Sequence, residues 1–283
     1  MLYDMRTIDL NEWEQTGSGA VGMSYFHKTD PTLMLKFMSE GTRIENIEKE
    51  LNNSRNVYNL GIPTPNPGEM VTDGKRIGIM FERIKGKRSY AKMIGEEPQN
   101  IDALAKEFVA MAKLVHSTPC DTSKFKGIKE FSKEMINGNQ FRSDALKEKA
   151  LNYVFSMPDA TTCLHGDLHM GNIIKAGDKS YMIDLLDFSY GHYLFDFGTL
   201  GSLIIVMKNM EPIFEREYHC TIAQGTQFWH SVLKEYFGPD TDVNRKIDEL
   251  RPFIAIKTLC MEKESGIRIP DISAKEVFSV FGE

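Results

Sequence analysis

Around Gly86 the periodicity of the chain changes, and that change limits the folds open to it more than any other feature. Before it, residues 6–10, 20–28 and Leu33–Met38 are short and often alternate apolar with polar, the period of strands. Thr29-Asp30-Pro31-Thr32 is a turn sequence and joins the last two as a hairpin. Strands are also expected at 69–71 and 76–81. After Gly86 the pattern reads as helical, interrupted between Cys163 and Asp187, where residues 165–172 form a loop and Ile173-Ile174 and Tyr181-Met182-Ile183 form small strands. Helices are then predicted near 196–207, Ile222–Phe237, 244–262 and 274–281, with Pro252 kinking or splitting the third.

One long helix interrupts the strand-rich half. Thr42 is suited to cap it, Ile44, Ile47, Leu51 and Tyr58 form its apolar stripe, and Gly61 followed by Pro63 stops it near Leu60. The expectation is an α+β, two-lobed chain, with a first lobe over 1–85, a second over 86–283, and a ligand-binding cleft.

Composition excludes several classes. The 283 residues are 41% hydrophobic and 26% charged, enough for one large core or two modest ones, with no sign of disorder. A net charge of -6 argues against gripping nucleic acid, which needs a concentrated basic face. The longest apolar runs, such as Leu203-Ile204-Ile205-Val206-Met207, fall far short of the roughly 20 residues that span a bilayer. Cys120, Cys163, Cys220 and Cys260 are dispersed and no apolar leader opens the sequence, so a reducing cytoplasm is expected. Oligomeric state is not legible.

The most specific motif is Leu164-His165-Gly166-Asp167-Leu168-His169-Met170-Gly171-Asn172, followed by Met182-Ile183-Asp184 and then Gly191 and Asp196. Each residue alone is an ordinary turn former; together they match one mechanism. A zinc site from Cys163, His165 and His169 lacks a second ligand pair at metal spacing.

This pattern resembles the phosphotransferase family of aminoglycoside and choline kinases, relatives of the protein kinases, and the resemblance runs through nearly the whole chain in order. It implies a kinase-like fold, with a strand-rich N-lobe holding one long helix and a mainly helical C-lobe. The implied activity is ATP- or GTP- and magnesium-dependent transfer of a phosphoryl group to a hydroxyl of a small molecule. Phosphoryl transfer has a loose transition state, so the protein must position reactants and neutralise charge. Asp167 would orient the acceptor hydroxyl. A carboxylate of pKa about 4 cannot ionise an alcohol beforehand, so it takes the proton late. Asn172 and Asp184 are oxygen donors suited to magnesium. Asp187-Phe188 imitates the metal-binding start of a protein-kinase segment, but the family spacing to Gly191 and Asp196 favours Asp184.

Gly17, Gly19 and Gly22 form G-x-G-x-x-G, a weak signal alone; a following hairpin rather than a helix favours a kinase-like phosphate cover over a dinucleotide fold. Lys36 lies on one strand face with Met34 and Met38 and needs a partner; the resemblance implies nucleotide phosphates and a helix carboxylate. Glu48 and Glu50 lie on opposite edges of the helix stripe, and the family spacing to Gly61-Ile62-Pro63 favours Glu50. Met80-Phe81-Glu82-Arg83-Ile84 resembles the hinge, with Glu82 and Ile84 at the base and Ile and Met side chains sandwiching it.

No A-P-E segment follows Asp184, which resembles the small-molecule branch. Phe214, Tyr218, Phe228, Trp229 and Tyr236 could line an acceptor site, though core packing is the ordinary reason for such aromatics. Glu211, Glu215, Glu217 and Asp240 could bind amino groups or form a solvated face. The alternative to catalysis is a kinase-like regulatory module, which would be expected to lose a catalytic or metal residue.

Overall fold

A computed structural model describes residues 5–19 and 22–282. Contacts divide them into two compact units, one formed by the residues up to Arg88 together with Ile174–Asp187, the other by Ser89–Ile173 together with the residues from Phe188 onward. The first unit thus takes in a late segment that a division after residue 85 does not contain.

In the first unit the strands are β1 (Arg6–Thr7), β2 (Trp13–Gly19), β3 (Gly22–His27), β4 (Leu33–Met38), β5 (Pro67–Thr72) and β6 (Ile77–Glu82), and helix α1 spans Ile44–Asn59 between β4 and β5. They form one six-stranded sheet in the order β1-β5-β6-β4-β3-β2, antiparallel except for the β1–β5 pair. Strand β2 escapes prediction because its sequence after Trp13 is polar; it is an end strand of the sheet, where a polar sequence costs nothing. The strand expected over 6–10 is cut short because Asp9 accepts from the Asn11 amide and starts a single 3-10 turn. In the β3–β4 turn, Asp30 Oδ1 accepts from both the amide and the hydroxyl of Thr32.

Alternation on the sheet builds two apolar clusters. Trp13, Tyr25, Leu35, Phe37, Val71 and Met80 pack together on one face. Met38 and Ile79 face Ile47 and Leu51 of α1. Helix α1 departs from expectation in two ways. Thr42 spends its hydroxyl on the Ser39 carbonyl, so Arg43 occupies the N-cap without a side-chain bond. Its buried face includes Glu50, Asn53, Ser54 and Val57, while Tyr58 in the last turn stays 44% exposed.

Helices dominate the second unit: α2 (Tyr90–Glu96), α3 (Ile101–Ser117), α4 (Ile128–Gly138), α5 (Asp144–Ser156), α6 (Phe197–Met207), α7 (Glu211–Tyr218), α8 (Ile222–Phe237), α9 (Val243–Ser265) and α10 (Asp271–Phe278). Helix α6 is apolar all round and buried from Phe197 to Val206, packed against α9, while α3 packs on α8. Pro252 lies inside α9 without splitting it. Thr221 and Gln224 close a reciprocal cap at the start of α8. A small sheet joins Lys126–Gly127, Ser189–Tyr190 and Cys163–Leu164, and its last strand leads directly into the His165–Asn172 loop. Among the described residues no helix is long and apolar enough to cross a membrane.

Candidate active site

Within the first unit, one pocket brings together Gly22, Lys36, Glu50, Glu82, Ile84 and Asp184. Lys36 reaches it because strand alternation turns its side chain away from Leu35 and Phe37, which go to the core. Its Nζ donates to Glu50 Oε1 at 2.7 Å and also pairs with Asp184 Oδ1. Glu48 is exposed, so the helix glutamate that meets Lys36 is Glu50. Burial opposes the charge on Lys36, but Asp184 and Glu50 outweigh it and hold the ammonium above the ordinary lysine range. Burial pushes the Glu50 carboxyl up, and Lys36 only partly pulls it back.

Asp184 occupies a left-handed backbone conformation, φ 58°, a mildly costly state that Asp tolerates better than most residues. Asn53 of α1 steadies the segment that follows, its amide nitrogen donating to the Leu185 carbonyl at 2.9 Å and the Leu186 carbonyl at 3.0 Å. Asn53 was not expected in the site; its signal is a polar residue three positions after Glu50, on the helix face that also carries Ser54.

Of the glycine motif, Gly22 lines the pocket, and a Cβ there would stand 2.0 Å from the Phe37 carbonyl oxygen. That glycine is fixed by the close approach of β3 to β4. Gly17 stands on β2 with open space where a Cβ would go, Gly19 pairs with Gly22 across the β2–β3 ladder, and Ala20 and Val21 lie outside the described residues. In the hinge-like segment the expected methionine differs: Met80 packs into the core beside Leu35, whereas Met34, Phe81 and Ile84 line the pocket. Ile174 and Ile183 supply further apolar surface.

The second unit carries Asp167 and Asn172 on a loop that is tied down at several points. Asp196 accepts from the His165 amide at 2.8 Å and the Gly166 amide at 2.7 Å, and lies 3.0 Å from His116 Nε2. Gly166 takes φ 81°, the conformation that turns these two amides together onto one carboxylate. His165 is fully buried, and its Nδ1 accepts from the Asp167 amide at 3.3 Å, so it braces the loop. Burial raises the Asp196 carboxyl, but His116, His165 and the Gly166 amide bring it below the ordinary aspartate value.

Both oxygens of Asp167 are held. Lys257 of α9 lies 3.1 Å from Oδ1 and donates to the Gly166 carbonyl at 2.8 Å; Asn172 Nδ2 donates to Oδ2 at 3.0 Å and to the Asp167 carbonyl at 2.9 Å. His169 accepts the Gly171 amide on Nδ1 at 3.0 Å, which leaves Nε2, 3.5 Å from Asp167 Oδ2, as the nitrogen facing the carboxylate. Burial acts to raise the Asp167 carboxyl, but Lys257, His169 and His165 hold it well below the usual range, so it stays ionised. Lys257 is the main residue sequence reasoning missed. Its signal was a lysine inside the buried run Phe253 to Cys260, the argument that had singled out Lys36.

Phe214, Phe228 and Trp229 are buried core residues, while Tyr218 sets its ring edge-on to His169 at 5.6 Å. Tyr236 is 3.0 Å from His116 Nδ1 and so extends the Asp196 support. Glu211, Glu215, Glu217 and Asp240 are exposed.

The phosphotransferase enzyme family matches residues 12–219. No curated protein sequence matches the chain. Among solved structures, the ADP-bound aminoglycoside phosphotransferase APH(2'')-Ib is 18% identical, with 97% of this chain and 93% of that chain covered at a TM-score of 0.59. An amicoumacin kinase, hAmiN, with AMP-PNP and Ca2+ is 13% identical, covering 98% and 88% at 0.59. A choline/ethanolamine kinase family protein from Mesorhizobium loti is 13% identical, covering 95% and 86% at 0.56. At such identities the likeness is one of fold, whereas the family match spans most of the chain. The chain belongs to the phosphotransferase enzyme family, as a small-molecule kinase.

Proposed function

We propose that this enzyme transfers the terminal phosphoryl group of ATP, or of GTP, to a hydroxyl of a small molecule such as an aminoglycoside, a choline-like amino alcohol or a sugar. The observation that carries the reading is Asp167, an ionised carboxylate held on both oxygens by Lys257 and Asn172. Such a carboxylate keeps lone pairs to accept a hydrogen bond from an acceptor hydroxyl. Its low proton affinity makes it a positioning group first, taking the proton as the new bond forms.

In the other unit, Lys36 and the apolar walls around Ile84 suit the phosphates and base of a nucleotide. Asp184 and Asn172 offer carboxylate and amide oxygens, hard donors that fit magnesium, and Asn172 spends its N–H group on Asp167, which leaves the amide oxygen for a cation. Magnesium bound at donors of this kind would neutralise charge on the nucleotide phosphates. The solved structures with ADP or AMP-PNP support a nucleotide as donor.

The test is to incubate the protein with magnesium and ATP or GTP across aminoglycosides, choline, ethanolamine and simple sugars, and to look for a phosphorylated acceptor by phosphorus NMR. A phosphate monoester on one class identifies the substrate; hydrolysis of nucleotide with no phosphorylated product from any class counts against the reading.

A further inference from the structure

The pocket of the first unit holds two lysines, and the proposed reaction uses only one. Lys36 is claimed by Glu50 and Asp184. Lys87 lines the same pocket from beyond the hinge-like segment, and among the described residues no carboxylate stands within ion-pair distance of it. Its Nζ lies 3.9 Å from the Met34 sulfur, a weak acceptor that does not compensate an ammonium.

Position follows from the β4 register. Met34 pairs with Phe81 and Lys36 with Ile79, so Met34 lies toward the hinge end of the strand and Lys36 one same-face step, roughly 7 Å, further along. An ammonium beside Met34 stands in the hinge half of the pocket, yet it feels the charge of Asp184, which pairs with Lys36 further along, so it faces the stretch between the base end and the Lys36 end. A nucleotide with its base against Ile84 and its outer phosphates near Lys36 would present there the phosphate that follows the ribose.

We propose that Lys87 is a second phosphate-binding cation of the nucleotide pocket, contacting the ribose-proximal phosphates while Lys36 serves the terminal ones. The inference rests on the nucleotide reading of this pocket. Burial lowers the proton affinity of Lys87 and Asp184 only partly restores it; an anionic ligand would satisfy the charge that the protein leaves uncompensated.

Titration calorimetry with ADP and with adenosine, on the wild type, Lys87→Met and Lys87→Arg, tests it. The expected result is ADP binding weakened roughly ten-fold or more in Lys87→Met, as for loss of a hydrogen bond to a charged group. Adenosine binding should be unchanged in that variant, and ADP affinity largely kept in Lys87→Arg. Equal ADP affinity in wild type and Lys87→Met overturns the inference and leaves the nucleotide reading intact. Equal loss of ADP and adenosine in Lys87→Met also overturns it, since the lysine would then serve the nucleoside or the pocket wall. A wild type that binds neither ADP nor adenosine removes the nucleotide reading itself, and the inference with it.

Discussion

Lys257 places its ammonium 3.1 Å from Oδ1 of Asp167 and 2.8 Å from the carbonyl of Gly166, so one buried side chain fixes both the orientation and the charge of the candidate catalytic carboxylate. Burial alone would push Asp167 toward its protonated form. Lys257 is the largest opposing influence.

Replacing it by Lys257→Met, similar in length and apolar, removes that opposition. Asp167 then titrates higher, and since the ionised form is the active one, the acidic limb of kcat/KM moves to higher pH. Turnover at neutral pH should fall by roughly a hundred-fold, the lower end of what a positioned acid-base group contributes, with nucleotide affinity retained. A pH-rate profile beside a nucleotide titration measures both.

Asp196 gathers the His165 and Gly166 amides and His116. Asp196→Ala removes the acceptor of three polar groups, among them the buried His165 amide, and should cost about 3 kcal/mol or more, read by urea unfolding. The sign of the pH effect follows from the depressed carboxyl. Its contribution is complete above the ordinary aspartate value of 3.8 and is lost as pH falls through the lower folded value. The stability gap between wild type and variant should therefore be full at neutral pH and shrink below 3.8.

Glu50→Gln removes a charged partner of Lys36, whereas Glu48 is exposed. The KM for ATP should rise roughly ten-fold in Glu50→Gln, in proportion to one charge-assisted hydrogen bond, and stay unchanged in Glu48→Gln. Steady-state kinetics on the two variants decide this.

The glycine motif separates into unlike parts. Gly22→Ala drives a methyl into the Phe37 carbonyl and should destabilise by about 2 kcal/mol or more through forced separation of β3 and β4. Gly17→Ala meets open space and should stay within about 0.5 kcal/mol. Thermal unfolding of both variants reads the difference.

The loop over residues 165–172 was legible as a unit because its residues are local: His165, Gly166, Asp167 and Asn172 are a few positions apart, and their pattern resembles that of one family. The strand-rich beginning and the helical remainder were equally plain, since periods of 2 and 3.6 differ sharply. Choosing between Glu48 and Glu50 was beyond the helix pattern, because the buried face of α1 is turned toward polar Glu50, Asn53 and Ser54, which an apolar stripe does not mark. Lys257, Asn53 and Lys87 were missed for a related reason. Each meets groups distant in sequence, and only the folded chain shows that Lys257 reaches a carboxylate, Asn53 two carbonyls and Lys87 the Met34 sulfur. Strand β2 was hidden by its polar sequence, which an end strand permits.

The most direct test of the account is acceptor-stimulated, magnesium-dependent ADP formation from ATP in the wild type and in Asp167→Asn, with nucleotide binding measured on both. The account predicts that the variant binds nucleotide as the wild type does and loses acceptor-stimulated turnover by a factor of roughly a hundred to ten thousand. Turnover in Asp167→Asn equal to that of the wild type would contradict it.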